Sequence, residues 1–313
     1  MSDLIKSDLN NEGLKPKIIV FDLDETLGYF TQVNMLWEIV NASTYCEPES
    51  LQQLFNDMMN LYPEIIRPDI QDALKYVYAK KCRGKCDKIM IYTNNKRNEE
   101  WVESIANYFK YLLGIPLQDK LFDQLIYAFK INGAIVEMSR TTRRKTHRDL
   151  ISCTKMPDDT QICFLDDSVY EKMNNINVYY INFEPYIHHI PWAEMVRRFS
   201  ENDHARTNSP LIQCIIDSYG GKTNFIKNVL PIVQSYDFTY KKKHFGEYEM
   251  ERVITRRIIE KIKLFFKISE DGFCGRFVKA SATRQYSKRN RRHSFLPSNH
   301  IEMRKTRKRK KRL

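Results

Sequence analysis

The chain reads as an α/β protein: a five-stranded parallel sheet with helices on both faces, a small helical insertion and a helical C-terminal extension. Three observations predict this. Short, β-branched apolar runs recur at Lys17–Phe21, Lys88–Tyr92, Leu125–Phe129, Gln161–Leu165 and Asn177–Ile181, the pattern of strands buried on both faces. Longer segments with apolar residues at helical spacing separate them, as right-handed crossovers between parallel strands require. Three of the runs end in polar clusters: Asp22-Leu23-Asp24, Thr93-Asn94-Asn95 and Asp166-Asp167-Ser168. Open α/β sheets bind their ligands at that carboxyl edge.

The first run leads straight into Asp22-Leu23-Asp24-Glu25-Thr26-Leu27. Side chains alternate along a strand, so Asp22 and Asp24 begin on one side and converge as the chain turns. Two close carboxylates repel unless a cation neutralises them or one holds a proton. Metal-assisted phosphoryl transfer uses that arrangement, with one anion as nucleophile and metal ligand and its neighbour as general acid/base. Asp pairs also cap ordinary turns, so this segment gains weight only from the polar strand ends further along the chain.

Residues 1–15 are polar and read as a flexible N-terminus. Between Val33 and Tyr62, Met35, Leu36, Ile39 and Val40, then Leu51, Leu54, Phe55, Met58 and Met59, recur at helical spacing. Pro48 suits the start of the second of these helices, and Pro63 ends it. Residues 31–66 are thus a helical insertion beside the mouth of the sheet or two ordinary core helices. Arg67-Pro68 precedes a further helix through Ile70, Leu74, Val77 and Tyr78.

Past the second strand, Thr93 and Asn94 precede a helix from Asn98 to Leu113 with Trp101, Ile105, Tyr108, Phe109 and Leu112 along one face. A hydroxyl and free backbone amides at a helix start hold an anion without adding a titrating group. The alternative is that Thr93 and Asn94 merely cap this helix. A basic segment, Arg140 to Asp149, lies between the third and fourth strands. Beyond Pro191, helices at Leu211–Tyr219, Phe225–Val233 and Glu247–Ile268 make residues 201–280 a helical extension.

In this order, the Asp22–Leu27, Thr93–Asn95 and Asp166–Asp167 segments resemble motifs I, II and IV of the haloacid-dehalogenase-like (HAD) phosphatase superfamily, over residues 16–200. The first motif and Arg67-Pro68 look most like the branch of RNA polymerase II C-terminal-domain phosphatases. The resemblance implies a HAD-like (Rossmannoid) sheet with the first strand central, and a turn with a short hairpin at Gly28-Tyr29-Phe30. It also implies Mg²⁺-dependent hydrolysis of a phosphomonoester through an aspartyl-phosphate. In that mechanism Asp22 is the nucleophile and Asp24 the acid/base, while Thr93, Asn94 and a lysine bind the phosphoryl oxygens. Asp22, Asp24, Asp166 and Asp167 would surround the metal, one of the last two directly and the other through water or a hydroxyl.

For the lysine we choose Lys145, in Lys145-Thr146-His147-Arg148-Asp149, which resembles the generic motif III. The polymerase branch sets its lysine before a Leu-Ser-Arg-like triplet, whereas here Met138-Ser139-Arg140 follows Val136-Glu137. Arg143 and Arg144 therefore remain rivals. The implied substrate is a phosphoserine or phosphothreonine protein, with a nucleic-acid 3′-phosphatase or nucleotidase as the alternative. A non-catalytic HAD-like scaffold acting through a basic tail is the third reading.

That tail holds most of the charge. Ser281 to Leu313 contains thirteen Lys and Arg against one acid, Glu302, so the net +12 belongs to residues 281–313 and the rest is balanced. Such a block is expected to be disordered. It could serve nuclear import, contact nucleic acid or an acidic protein, or simply solvate the chain. Nearly free of aromatics, it is not expected to read sequence. Seven cysteines, the lack of a signal-like N-terminus and the absence of an apolar run long enough for a membrane span predict an intracellular protein that does not engage a membrane. Cys82 and Cys86 lack a second Cys/His pair and read as incidental thiols. Asn, Lys, Ile and Tyr are plentiful and Gly scarce, the composition of an AT-rich genome such as a large DNA virus carries.

Overall fold

The apolar runs form one sheet in the computed structural model, which describes residues 15–43, 47–202, 208–236, 238–268 and 272–282. Met1–Ser281 and Ala282–Leu313 are two separate units. Nearly all of the expected flexible N-terminus and basic tail therefore lies outside the described residues. Strands β1 (Lys17–Phe21), β2 (Lys88–Tyr92), β3 (Gln124–Ile126), β6 (Gln161–Asp166), β7 (Val178–Phe183) and β8 (Arg276–Ala280) lie in the order β3-β2-β1-β6-β7-β8. Every neighbouring pair in this sheet is parallel. A separate hairpin joins β4 (Lys130–Ile131) to β5 (Ala134–Ile135).

The sheet has six strands, not the five expected from sequence. The added one, β8, comes from the stretch read as wholly helical. It is an edge strand whose Arg276, Phe277 and Lys279 face solvent, so it lacks the continuous apolar signal of a buried parallel strand. The third strand is also shorter than its apolar run: Tyr127–Phe129 leaves the sheet and enters the β4–β5 hairpin, which turns on Asn132 and Gly133 at positive φ.

Alternation along the strands divides the core in two. On one face Ile18, Val20, Met90, Tyr92, Ile162, Phe164, Val178 and Tyr180 pack with Leu150 and Cys153 of α5 (His147–Thr154). The intervening residues point the other way, where α3 (Ile70–Cys82) packs on β2 and α9 (Phe245–Phe265) on β7 and β8. Phe265 of α9 meets Tyr179 there, with ring centres 6.1 Å apart.

The remaining helices among the described residues are α1 (Thr31–Ala42), α2 (Pro48–Asn60), α4 (Glu99–Leu112), α6 (Trp192–Glu201), α7 (Pro210–Ser218) and α8 (Lys222–Ser235). Helix α2 packs on α4, with Phe55 set edge-on between Trp37 and Trp101. No hairpin forms at Gly28–Phe30. Gly28 makes single bridges to Asp24 and Ile66, and α1 begins at Thr31. A side chain at position 28 would lie 2.7 Å from both the Ile65 carbonyl and the Phe30 ring, so the chain passes there as glycine.

Candidate active site

Strand β1 lies between β2 and β6, so the three polar strand ends become neighbours at one edge of the sheet. Asp22 and Asp166 are 7% and 1% exposed, and Asp167 is half-buried. One carboxylate oxygen from each of Asp22, Asp166 and Asp167 lies within 4.8 Å of the others, so this triple could hold a metal ion. The donors are all carboxylate oxygens, which suit a hard cation. It is the one such group of His, Cys, Asp and Glu among the described residues; Cys82 and Cys86 are free thiols.

Lys145 closes the cluster from the side. It immediately precedes Thr146, whose hydroxyl caps α5 by accepting the Asp149 amide at 3.0 Å. That cap turns the chain so that the lysine stem runs inward, 1% exposed, over the rings of Tyr92, Phe164 and Tyr170. Its ammonium donates to Asp166 at 2.6 Å and to Asp22. Burial would lower the lysine's proton affinity, but Asp166 and Asp22 outweigh it and hold Nζ above the ordinary lysine range. Burial raises the Asp166 carboxyl, with the same ammonium opposing it. The rivals Arg143 and Arg144 are both exposed.

Asp24 stands beside the triple rather than in it. Its carboxylate accepts the Asn95 side-chain amide at 2.7 Å. Burial, then the charge of Asp22, push the Asp24 carboxyl up to about 7 against the pull of Asn95. A carboxyl that exchanges its proton near neutrality suits a general acid/base. Thr26, two residues on, donates to Asp167 at 3.3 Å.

Thr93 is buried at the end of β2, and its hydroxyl accepts the Asn95 amide at 2.9 Å. Thr93 and Asn94 do not cap α4; Asn98 does, accepting from Trp101 at 3.2 Å. The loop is instead braced by Arg140, which is 2% exposed and lies over the Tyr92 ring. Its guanidinium donates to the carbonyls of Thr93 at 3.0 Å, Tyr127 at 2.6 Å and Arg143 at 3.2 Å, and to the Asn94 side chain at 2.7 Å. The Asn94 amide then donates to the Tyr170 hydroxyl at 3.0 Å.

Three contributors are not marked as site residues by the sequence pattern. Asn95 is there only part of a strand end, yet it is the residue that touches Asp24. Asn182 on β7 donates to the carbonyls of Asp166 at 3.0 Å and Asp167 at 2.9 Å, fixing the loop that carries both acids. Arg67 is entirely buried behind the Asp24–Gly28 turn. The readable signal for it is a lone cation after Ile65-Ile66, since an Arg in an apolar setting needs several acceptors.

The fold and site thus define an α/β domain with a buried acid cluster and one ammonium at the carboxyl edge of a parallel sheet. The chain matches no family model, no curated protein and no solved structure. No described helix is long and apolar enough to cross a membrane.

Proposed function

We propose that this chain is a Mg²⁺-dependent HAD-type phosphatase that hydrolyses a phosphomonoester through an aspartyl-phosphate. The observation that carries the reading is the meeting of Asp22, Asp166 and Asp167 within 4.8 Å, with Lys145 bonded to two of them and Asp24 held alongside. Asp22, Asp166 and Asp167 would hold the cation, which when bound supplies charge neutralisation between the nucleophile and the phosphoryl group.

The side chains divide the remaining work. Asp22 attacks phosphorus as the ester P–O bond breaks, and Asp24 gives its proton to the departing oxygen. Asp24 then takes a proton from the water that cleaves the aspartyl-phosphate. Thr93, Asn94 and Lys145 hold the phosphoryl oxygens, and Arg140 and Asn182 keep their loops in place. The substrate we favour is a phosphoserine or phosphothreonine protein, on the resemblance of Asp22–Leu27 and Arg67-Pro68. The basic run at 281–313 favours a second reading, a 3′-phosphatase on nucleic acid, or alternatively a scaffold that binds through that run.

The test is Asp22→Asn. Phosphatase turnover and acid-stable phosphoenzyme should both vanish while the thermal transition stays cooperative. Full activity in that variant would remove the mechanism. Turnover of a phosphopeptide beside a 3′-phosphorylated oligonucleotide, with and without Mg²⁺, separates the two substrate classes.

A further inference from the structure

We propose that Arg67 and Glu251 are positioning residues that hold the Asp24–Gly28 turn against the acid cluster, making helix α9 a working part of the site. This rests on the phosphatase reading and adds a residue pair to it.

The Arg67 guanidinium uses four of its five N–H donors on defined acceptors. Nε donates to the Thr26 carbonyl at 2.9 Å, and Nη2 to the carbonyls of Glu25 at 2.7 Å and Glu184 at 2.8 Å. Nη1 donates to Glu251 Oε2 at 3.1 Å. The guanidinium lies over the rings of Phe183 and Tyr186, 5.0 and 5.5 Å from their centres. The main chain adds to the clamp, since the Arg67 amide donates to Leu27 at 3.0 Å and Tyr29 to Ile65 at 2.7 Å.

The turn needs this support. Glu25 has φ +59°, a left-handed conformation that costs a residue with a side chain about 1 kcal/mol. Its carbonyl and that of Thr26 are drawn inward, where Arg67 and the Tyr186 amide (2.8 Å) meet them. The turn opens on Asp24, and within it Thr26 reaches Asp167. A shift of the two carbonyls would therefore move the proton donor, which directly precedes Glu25 and Thr26 in the main chain.

Glu251 belongs to α9, far along the chain. It is 8% exposed and shared between Arg67 and Lys243, whose Nζ lies 2.8 Å away and 4.5 Å from the Tyr186 ring centre. A planar guanidinium can serve three carbonyls and a carboxylate at once; a lysine ammonium in its place cannot.

The test reads the leaving group. With an alkyl phosphate, Asp22 forms its bond to phosphorus while the Asp24 proton passes to the departing alkoxide. A para-nitrophenolate leaves without that proton. Glu251→Gln and Arg67→Lys in the full chain should lower kcat/KM about 10–100-fold on a phosphoserine peptide and at most about threefold on para-nitrophenyl phosphate. Equal losses on both substrates, or no loss on the peptide, would overturn the proposal, because a merely structural role does not discriminate between leaving groups. If Arg67→Lys fails to fold, Glu251→Gln decides alone. A wild-type chain inactive on both substrates, or an Asp22→Asn variant as active as wild type, removes the phosphatase reading itself and this inference with it.

Discussion

Replacing Lys145 with Met gives the most direct measure of what the acid cluster requires. The ammonium is 1% exposed, donates to Asp166 at 2.6 Å and to Asp22, and is the cation bonded to the cluster. Removing one partner from a buried ion pair costs about 3–5 kcal/mol, because the other charge stays buried without compensation. At roughly 2–4 °C per kcal/mol for a chain this size, Lys145→Met in EDTA should unfold about 10 °C below wild type. The same substitution removes a positive charge that competes with a metal ion for these oxygens. Two unit charges about 4 Å apart interact by about 4 kcal/mol at an effective dielectric of 20. Retaining even a third of that tightens divalent binding by about tenfold. Millimolar Mg²⁺ should accordingly raise the melting temperature of the variant more than that of wild type. Differential scanning calorimetry in EDTA, Mg²⁺ and Ca²⁺ measures both effects. Equal stability of the two proteins in EDTA, or identical shifts on adding metal, would refute the reasoning.

Other outcomes follow from the same contacts. The Asp24 carboxyl is pushed from 3.8 to about 7, so its contribution is full below pH 3.8 and is lost as pH rises to about 7. Asp24→Asn should leave urea unfolding unchanged near pH 4 and stabilise the protein at pH 8 by about 2 kcal/mol, half the value for a fully enclosed carboxyl because Asp24 is only part-buried; no gain at pH 8 would show that the carboxyl ionises freely. Arg140→Met strips the Thr93–Asn94 loop of its brace and, by leaving buried carbonyls without a donor, should cost about 1–3 kcal/mol in chemical denaturation. Arg143→Ala and Arg144→Ala, both exposed, should stay within about 0.5 kcal/mol of wild type. Gly28→Ala forces a methyl against the Ile65 carbonyl and should cost about 1–3 kcal/mol; a neutral result would mean the turn relaxes freely.

The legible parts of the fold are those where one physical demand dominates. Strands β1, β2, β6 and β7 are buried on both faces, so apolar residues dominate them and their runs stand out. Strand β8 escapes because an edge strand keeps its polar residues, and its place depends on a contact with β7 almost a hundred residues away. Among the site residues, the acids are visible as pairs at strand ends. The choice of Lys145 over Arg143 and Arg144 depends on a cap: Thr146 turns the chain, and of these three only the residue directly before it points inward. Asn182 acts on carbonyl oxygens, which every residue carries, so no pattern of side chains announces it, and Arg67 shows only as a lone cation after two isoleucines.

Charge balance bears on the divalent ion proposed for the cluster. Four carboxylates, those of Asp22, Asp24, Asp166 and Asp167, share one edge of the sheet, and one ammonium is bonded among them. The raised proton affinity of Asp24 removes one negative charge when that group is protonated, and Lys145 offsets another. Burial raises Asp166 and Asp167 as well, so protons meet part of the charge that is left in a setting where uncompensated charge costs several kcal/mol. In the proposed reading a divalent cation would take the place of those protons, which a monovalent ion does less well. The stability gained on adding a metal should therefore track its charge and its preference for oxygen. Mg²⁺, Mn²⁺ and Ca²⁺ should each raise the melting temperature, and Na⁺ or K⁺ at matched ionic strength should not. A cluster indifferent to all five ions would show that the acids are neutralised by protons, and the metal-dependent chemistry would have no place there.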